Sequence, residues 1–524
     1  MFQTSKNLTY IRSIWPKGEK TKTNLKLAKK YNDIVEKENK NSIDDQTWYD
    51  LDMDSVFPVV NKTITTPGEH VLYNMLRTPL YDEKKLKDRD TIISLFQENA
   101  SIRENLQLKL LKIGKQKFGD VLSLLWDDLE ENNFMRILTL ILGTLPLVLI
   151  VLSIFFGLYM IAFIFPIFLI NMTIHYKSTS KIQVQINSIS YFSKLINGCK
   201  YINTLDLKEL SHYKSKLDSI LKKVKTISSN SSSISRIEGI DVLGDYFATI
   251  FLFQERAYYK IIKNIKDHRN DLRDLYNLIG EMDAFISIAA YRECLPHYSK
   301  PEFVSTKKYF QIKDAIHPLI EKAVPNSITL NKSGVILTGT NMAGKSTFLR
   351  TVGLNALMAQ TFYTCTAKEY VANFFNIVSS MAPKDNVLKG KSYYLGEAEA
   401  ILRIINKVDE EPTVLCVIDE IFRGTNPVER VAASAEILQY IIDRNCIPIV
   451  ATHDHELTKL LKGIYKCYYF SEDVDEKEGL KFDYKIKEGV SPTTNAIKLL
   501  NYVGYPKKIT EGAYTRVKKS VSAN

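Results

Sequence analysis

The run from Ile137 to Ile174 contains no Asp, Glu, Lys or Arg, and 25 of its 38 residues are Leu, Ile, Val or Phe. At roughly 0.3 to 0.6 kcal/mol favourable per such residue, its insertion into a bilayer gains about 10 kcal/mol, which the few Gly, Pro and Asn residues reduce without cancelling. One straight helix of this length would measure about 57 Å against a hydrocarbon core of about 30 Å, so a single span is badly mismatched. Two short spans fit: Ile137 to Phe156 and Leu158 to Ile174, with the reversal at Gly157 and with Pro146 and Pro166 kinking the spans. The competing reading is a buried helical hairpin in a soluble protein.

The rest of the chain constrains its surroundings. At 524 residues it exceeds a single hydrophobic core, so roughly two to four domains are expected. A net charge of +11 suits a polyanion or an anionic membrane surface as neighbour. Lysines cluster at the N-terminus and between Lys208 and Lys225, where solvated helix faces, lipid head groups and DNA phosphates all fit their spacing. The six cysteines show no CxxC spacing, which argues against a zinc site or disulfide framework and suits a reducing cytosol. The opening "MFQTSKNLTY" is followed by no apolar stretch of signal-peptide length, so secretion is not expected.

Patterning predicts a multidomain chain in five segments. Residues 1–44 are a basic N-terminal segment, 45–136 a first helical part, 137–174 the apolar hairpin and 175–305 a second helical part with a serine-rich interruption at Ser228 to Ser235. Residues 306–524 alternate short apolar runs, "GVILTG", "TVLCVI" and "IPIVAT", with helical stretches, as an α/β nucleotide-binding domain does.

Within that last segment, Gly339-Thr340-Asn341-Met342-Ala343-Gly344-Lys345-Ser346, followed by Thr347, fits G-x-x-x-x-G-K-[ST] between a strand-like and a helix-like stretch. Backbone N–H groups of such a loop converge on phosphate oxygens, Lys345 reaches the β- and γ-phosphates of ATP, and the Ser346 hydroxyl ligates Mg²⁺. The strand "TVLCVIDE" then presents Asp419 and Glu420, a costly pair unless a cation meets it; Asp419 is assigned to Mg²⁺ and Glu420 to orienting the attacking water. In "IPIVATHDHEL", His453 at the tip of a third strand is assigned to sensing the γ-phosphate, in preference to His455.

"TGTNMAGKST", "GKSYYLGEAEAILRI", "DEIFRGTNPVE" and "ATHDHELTKL", with "AIHPLI" and "VPNSITL" ahead of them, resemble the MutS family of DNA mismatch repair ATPases. "LYNLIGEMDAFISIA" with "KPEFV", and more weakly "LDMDSVFPVVNKTITTPGEHVLYNMLRTPLYDEKKLKDRDTII", extend the resemblance to about Leu51–Ile113 and Tyr276–Ala513. It implies an α-helical core and lever region followed by an ABC-type P-loop ATPase domain, and a homodimer sharing its two nucleotide sites. By the same resemblance Ser392 approaches the γ-phosphate held by the opposite subunit, His317 and Pro318 lie near the adenine, and Asn341 is the asparagine of the phosphate loop. A helix N-cap is the plainer role for Ser392, and it can serve both.

Departures from the family's pattern shape the expected function. Only about 45 residues precede the helical core, leaving no room for the family's mismatch-reading domains, and no nuclease-like addition follows "GYPKKITEGAYTRV". Phe96-Gln97-Glu98 and Phe253-Gln254-Glu255 mimic the base-stacking Phe-x-Glu signature but fall in helix-periodic stretches, so both read as helix residues. The apolar hairpin interrupts the helical core where the family sends its levers toward DNA. The leading expectation is a membrane-anchored, multi-pass ATPase, its ATPase domain in the cytoplasm because two crossings return the chain to one side. Dimer closure on ATP would move levers beside the bilayer, with DNA or an unidentified membrane or DNA-repair partner engaged. The alternative is an ATP-dependent regulator of a membrane protein or lipid without nucleic acid; an ABC transporter fits less well, with so few spans and no charged residue inside them.

Overall fold

The computed structural model describes all residues except 1, 19–22, 37–41, 129–131, 206–207, 225–246, 248, 340–342, 382–392, 423–425, 476–478, 491–495 and 522–524. The serine-rich stretch therefore lies outside the described residues. Two compact units are present: Met1–Glu38, Asn61–Asn74 and Ile92–Tyr291 form the first, and Asn39–Val60, Met75–Thr91 and Arg292–Asn524 the second.

The first unit is helical. The basic N-terminal segment folds into helices Phe2–Ile14 and Leu25–Glu36, which bury Ile11, Ala28 and Tyr31. At the N-terminus of helix Thr66–Arg77, the buried Asp283 carboxylate accepts the Ile64 N–H (3.1 Å), the Thr65 N–H (2.7 Å) and the Thr65 hydroxyl (2.6 Å). The N–H groups of a helix start favour the anion, but burial outweighs them and pushes the Asp283 carboxyl up to about 6.

The charge-free run reverses at Gly157. Helix Asn133–Phe156 ends there with φ 105°, a conformation open to glycine, and the Gly157 N–H donates to Ser153 O at 3.0 Å. A 3₁₀ segment, Leu158–Phe163, precedes helix Ile164–Asn203, so the second apolar stretch does not run as one α-helix from Leu158. Pro166 falls in the first turn of that helix rather than in a kinked middle; its missing N–H is one that has no helical acceptor there.

Pro146 does lie inside its helix, and deprives the Leu142 carbonyl of its usual donor four residues on. Asn171 Nδ2 supplies the replacement at 3.3 Å, and also donates to Ile250 O at 2.7 Å. Gly143 faces the same neighbour so closely that an added Cβ would stand 2.3 Å from Phe251 O. Elsewhere the hairpin is bare: two helical stretches, Asn133–Phe156 and Leu158–Ser178, are long and apolar enough to cross a membrane, and only 22% and 11% of their most apolar windows are buried.

The second unit carries two sheets. Strands β1 (Glu302–Phe303), β2 (Tyr309–Ala315), β3 (Asn326–Asn331) and β5 (Glu369–Ala372) form one, in the order β1-β5-β2-β3. The other holds β4 (Gly334–Thr338), β6 (Asn376–Ser380), β7 (Val414–Asp419), β8 (Cys446–Ala451), β9 (Tyr465–Asp475) and β10 (Gly479–Glu488) in the order β10-β9-β4-β8-β7-β6. All neighbours in it pair in parallel except β10 with β9. β4, β7 and β8 are apolar up to their last residues because a parallel sheet is covered on both faces.

Residues 39–60 and 75–91 pack within this second unit. Asp50 accepts the Ser379 hydroxyl (2.8 Å) and the Met381 N–H (3.0 Å), its own carbonyl accepts Arg350 Nε (2.9 Å), and Leu51 lies against Gly353. At the end of helix Lys345–Phe362, where carbonyls lack helical partners, Gln360 O accepts the Leu80 N–H (2.7 Å), Thr361 O accepts Arg89 Nη1 (2.6 Å), and Arg292 Nη2 reaches the carbonyls of Phe362 and Tyr363 (both 3.1 Å).

Candidate active site

The ends of β4, β7 and β8 lie side by side, which is where a parallel sheet gathers ligand-binding side chains. After β4 the chain turns through Gly339 (φ 130°), where a Cβ would stand 2.6 Å from Phe470 O, and enters helix Lys345–Phe362 through Gly344 (φ 110°). Both positions need glycine, one for lack of space and both for their backbone. Thr340, Asn341 and Met342, like Ser392, lie outside the described residues; Ala343 is buried beside the turn and Thr347 lines the cavity described below.

Lys345 is buried and its ammonium donates to the Gly339 carbonyl within the loop. It also stands 3.2 Å from His453 Nε2 and 3.4 Å from Nδ1. His453 Nε2 lies 3.0 Å from Glu420 Oε1, so the ring stands between the Lys345 ammonium and the Glu420 carboxylate. Glu420 has φ 66° and its N–H donates to Ala451 O at 2.9 Å, which turns its side chain off the strand end. Ser346 Oγ donates to Asp419 Oδ2 at 2.5 Å. This hydroxyl and carboxylate are hard oxygen donors side by side, a set that fits Mg²⁺. The structure thus brings together Lys345, Ser346, Asp419, Glu420 and His453, which the sequence separates by up to 108 positions. His455 is exposed at the start of helix His455–Leu460.

Beside the loop opens a cavity of about 330 Å³ lined by His317, Val324, Asn326, Phe348, Phe470 and Tyr484. Burial, with Arg350 adding to it, pushes His317 down to about 4, so the ring is neutral at physiological pH. Its Nδ1 accepts the Leu319 N–H at 3.3 Å, which leaves the proton on Nε2. Phe470 and Tyr484 were invisible to motif reading. They stand on β9 and β10, more than a hundred residues beyond the loop, and Tyr484 has φ 52° where the β9–β10 register shifts. The bulge turns its ring over Gly344, whose added Cβ would lie 3.5 Å from Tyr484 Cδ1.

A glycine loop on a helix start, a hydroxyl–carboxylate pair and a second carboxylate directly after it at the end of β7 are the parts of a P-loop ATPase site. Residues 335–520 match the family model for MutS domain V, and residues 20–289 that for MutS domain III. The chain belongs to the MutS family, with a helical domain III region followed by the ATPase domain V. Among relatives, the DNA mismatch repair protein MutS of Petrotoga mobilis is 28% identical over 310 residues, 56% of this chain and 37% of that protein. The protein of the same name from Fervidobacterium nodosum is 32% identical over 271 residues, 50% of this chain and 32% of that one. That from Thermotoga maritima is 29% identical over 279 residues, 52% and 35% respectively. The chain therefore covers about a third of the length of these relatives.

Proposed function

We propose that this MutS-family ATPase is anchored in a bilayer by its apolar hairpin and works as a homodimeric switch: ATP binding closes two ATPase domains on each other, and hydrolysis releases them. The observation that carries the anchoring is the exposure of the hairpin. Ile154 and Leu158 are 78% and 79% exposed, and Leu147, Val151, Phe165 and Leu169 continue the apolar surface. So large an apolar face on a soluble protein would be an aggregation site.

In this reading the loop's backbone and Lys345 hold the ATP phosphates, and the cavity with His317 and Tyr484 takes the base. Ser346 and Asp419 would hold Mg²⁺, which when bound neutralises charge between the β- and γ-phosphates. Glu420 orients a water toward the γ-phosphorus; the new P–O bond forms as the bond to the β–γ bridging oxygen breaks, and the water's proton leaves through the carboxylate. The contacts of His453 with Lys345 and Glu420 support its role in sensing the γ-phosphate.

DNA is the partner that the relatives' names and the chain's net charge of +11 support. Binding of the detergent-solubilised protein to duplex DNA across a salt series tests it. Affinity that falls steeply with salt supports DNA, while no retention at low salt assigns the switch to a membrane protein or lipid.

A further inference from the structure

Arg430 forms a two-pronged ion pair with Asp454, Nε to Oδ2 at 3.0 Å and Nη2 to Oδ1 at 2.6 Å. The pair ties together the two connections that carry the site's acidic and basic side chains. Arg430 stands in the first turns of helix Pro427–Ile442, which follows β7 and Glu420; Asp454 follows His453 beyond β8.

Asp454 occupies the N-cap of helix His455–Leu460, where an Asp ordinarily turns its carboxylate onto the helix's free N–H groups. It makes no such cap; both oxygens go to Arg430. Its N–H is meanwhile held by Thr452 Oγ1 at 3.0 Å. The carboxylate thus joins the two connections instead of capping its own helix. One residue back, His453 Nε2 meets Glu420 Oε1 at 3.0 Å. The pair is about one-fifth exposed, at 22% and 19%, so water screens it only in part. Glu420 and Glu397 also act on the Arg430 charge, after Asp454 itself, which places Glu420 within electrostatic reach of the guanidinium.

We infer that Arg430 and Asp454 are a positioning pair that fixes His453 against Glu420, and that it governs the rate of hydrolysis rather than the affinity for nucleotide. The inference rests on the roles proposed above for Glu420 and His453. Neither member need touch ATP. A fork-to-carboxylate pair fixes direction as well as distance, which a lysine's point charge does not.

The test is steady-state hydrolysis by the full chain in detergent, with the dissociation constant for ATPγS measured in parallel, for Arg430→Ala, Arg430→Lys, the isosteric Asp454→Asn and, as control, Glu420→Gln. Arg430→Ala and Asp454→Asn are expected to lower kcat by about tenfold or more, with KM and the ATPγS constant moving by less than about threefold. Arg430→Lys is expected to recover part of the loss. If Arg430→Ala and Asp454→Asn keep kcat within about twofold while Glu420→Gln is inactive, the pair does not position the site and the inference is overturned. A parallel loss of ATPγS binding and kcat overturns it too, since that marks a role in folding the site. Normal turnover by Glu420→Gln removes the underlying reading, and the inference with it.

Discussion

Asn171 Nδ2 donates to the Leu142 carbonyl at 3.3 Å, and Leu142 is the residue whose helical donor Pro146 removes. A proline inside an apolar helix is thus paired with an asparagine from the next helix that satisfies what it frees.

This pairing predicts that Asn171→Leu destabilises the hairpin by about 1–3 kcal/mol, the cost of a buried acceptor left unmet. Pro146→Ala should offset part of that loss by restoring the N–H of residue 146. Denaturant titration of both single variants and the double variant in detergent checks it; strictly additive effects would separate the two residues.

The bare faces of Leu147 and Leu169 separate lipid contact from solvent contact. Leu147→Lys with Leu169→Lys should cost about 5–7 kcal/mol of insertion if both sit in hydrocarbon, moving the chain out of the membrane fraction. In water such exposed substitutions would change stability by about 0.5 kcal/mol or less and leave the chain in the fraction where the wild type is found.

Lys345→Ala should weaken nucleotide binding by about 100-fold, since it removes a charge-assisted contact to the phosphates. Glu420→Gln should retain ATP while lowering turnover by about 100-fold or more, and should accumulate as a closed dimer. Nucleotide titration and size-exclusion chromatography with ATP follow the two effects; normal turnover by the Gln variant removes Glu420 from its role.

Chelation of divalent cations should stop hydrolysis, and Ser346→Ala should raise the Mg²⁺ concentration at half-maximal rate, because Asp419 would then lack its 2.5 Å oxygen neighbour. Titrating Mg²⁺ against rate measures this; an unchanged midpoint would place the metal elsewhere.

Asp283 gives the first unit a pH signature. The folded chain holds this proton up to about pH 6, whereas the group ordinarily loses it near 3.8. Stability contributed here is therefore present below that window and falls as pH rises through it, by about 3 kcal/mol. Asp283→Asn lacks the titration, so the stability difference between wild type and variant should shift against wild type from pH 4 to pH 7. A constant difference across calorimetric scans contradicts the assignment.

The phosphate loop and the strand ends were legible because each is a local pattern: glycines before a helix, carboxylates after an apolar run. The reversal at Gly157 was legible because a charge-free run of 38 residues, longer than one bilayer span, has this glycine near its middle. Other features needed the third dimension. Apolar spacing marks Met53–Val60 as a helix without saying which unit it covers. Nothing near Phe470 or Tyr484 betrays a cavity that a distant glycine loop completes. Pro166 misled because a proline's effect depends on how many residues precede it in the helix, and the 3₁₀ segment before it reset that count.

Helix Ile164–Asn203 begins in the apolar hairpin and ends with Leu195, Ile196, Cys199 and Ile202 packed inside the first unit, 40 residues without a break. At 1.5 Å per residue it is a strut of about 60 Å, and a tilt of about 10° at one end becomes about 10 Å of travel at the other. A stiff oar of this kind turns a small rotation of the protein body into a displacement comparable to a helix diameter, with no joint in between to absorb the stroke.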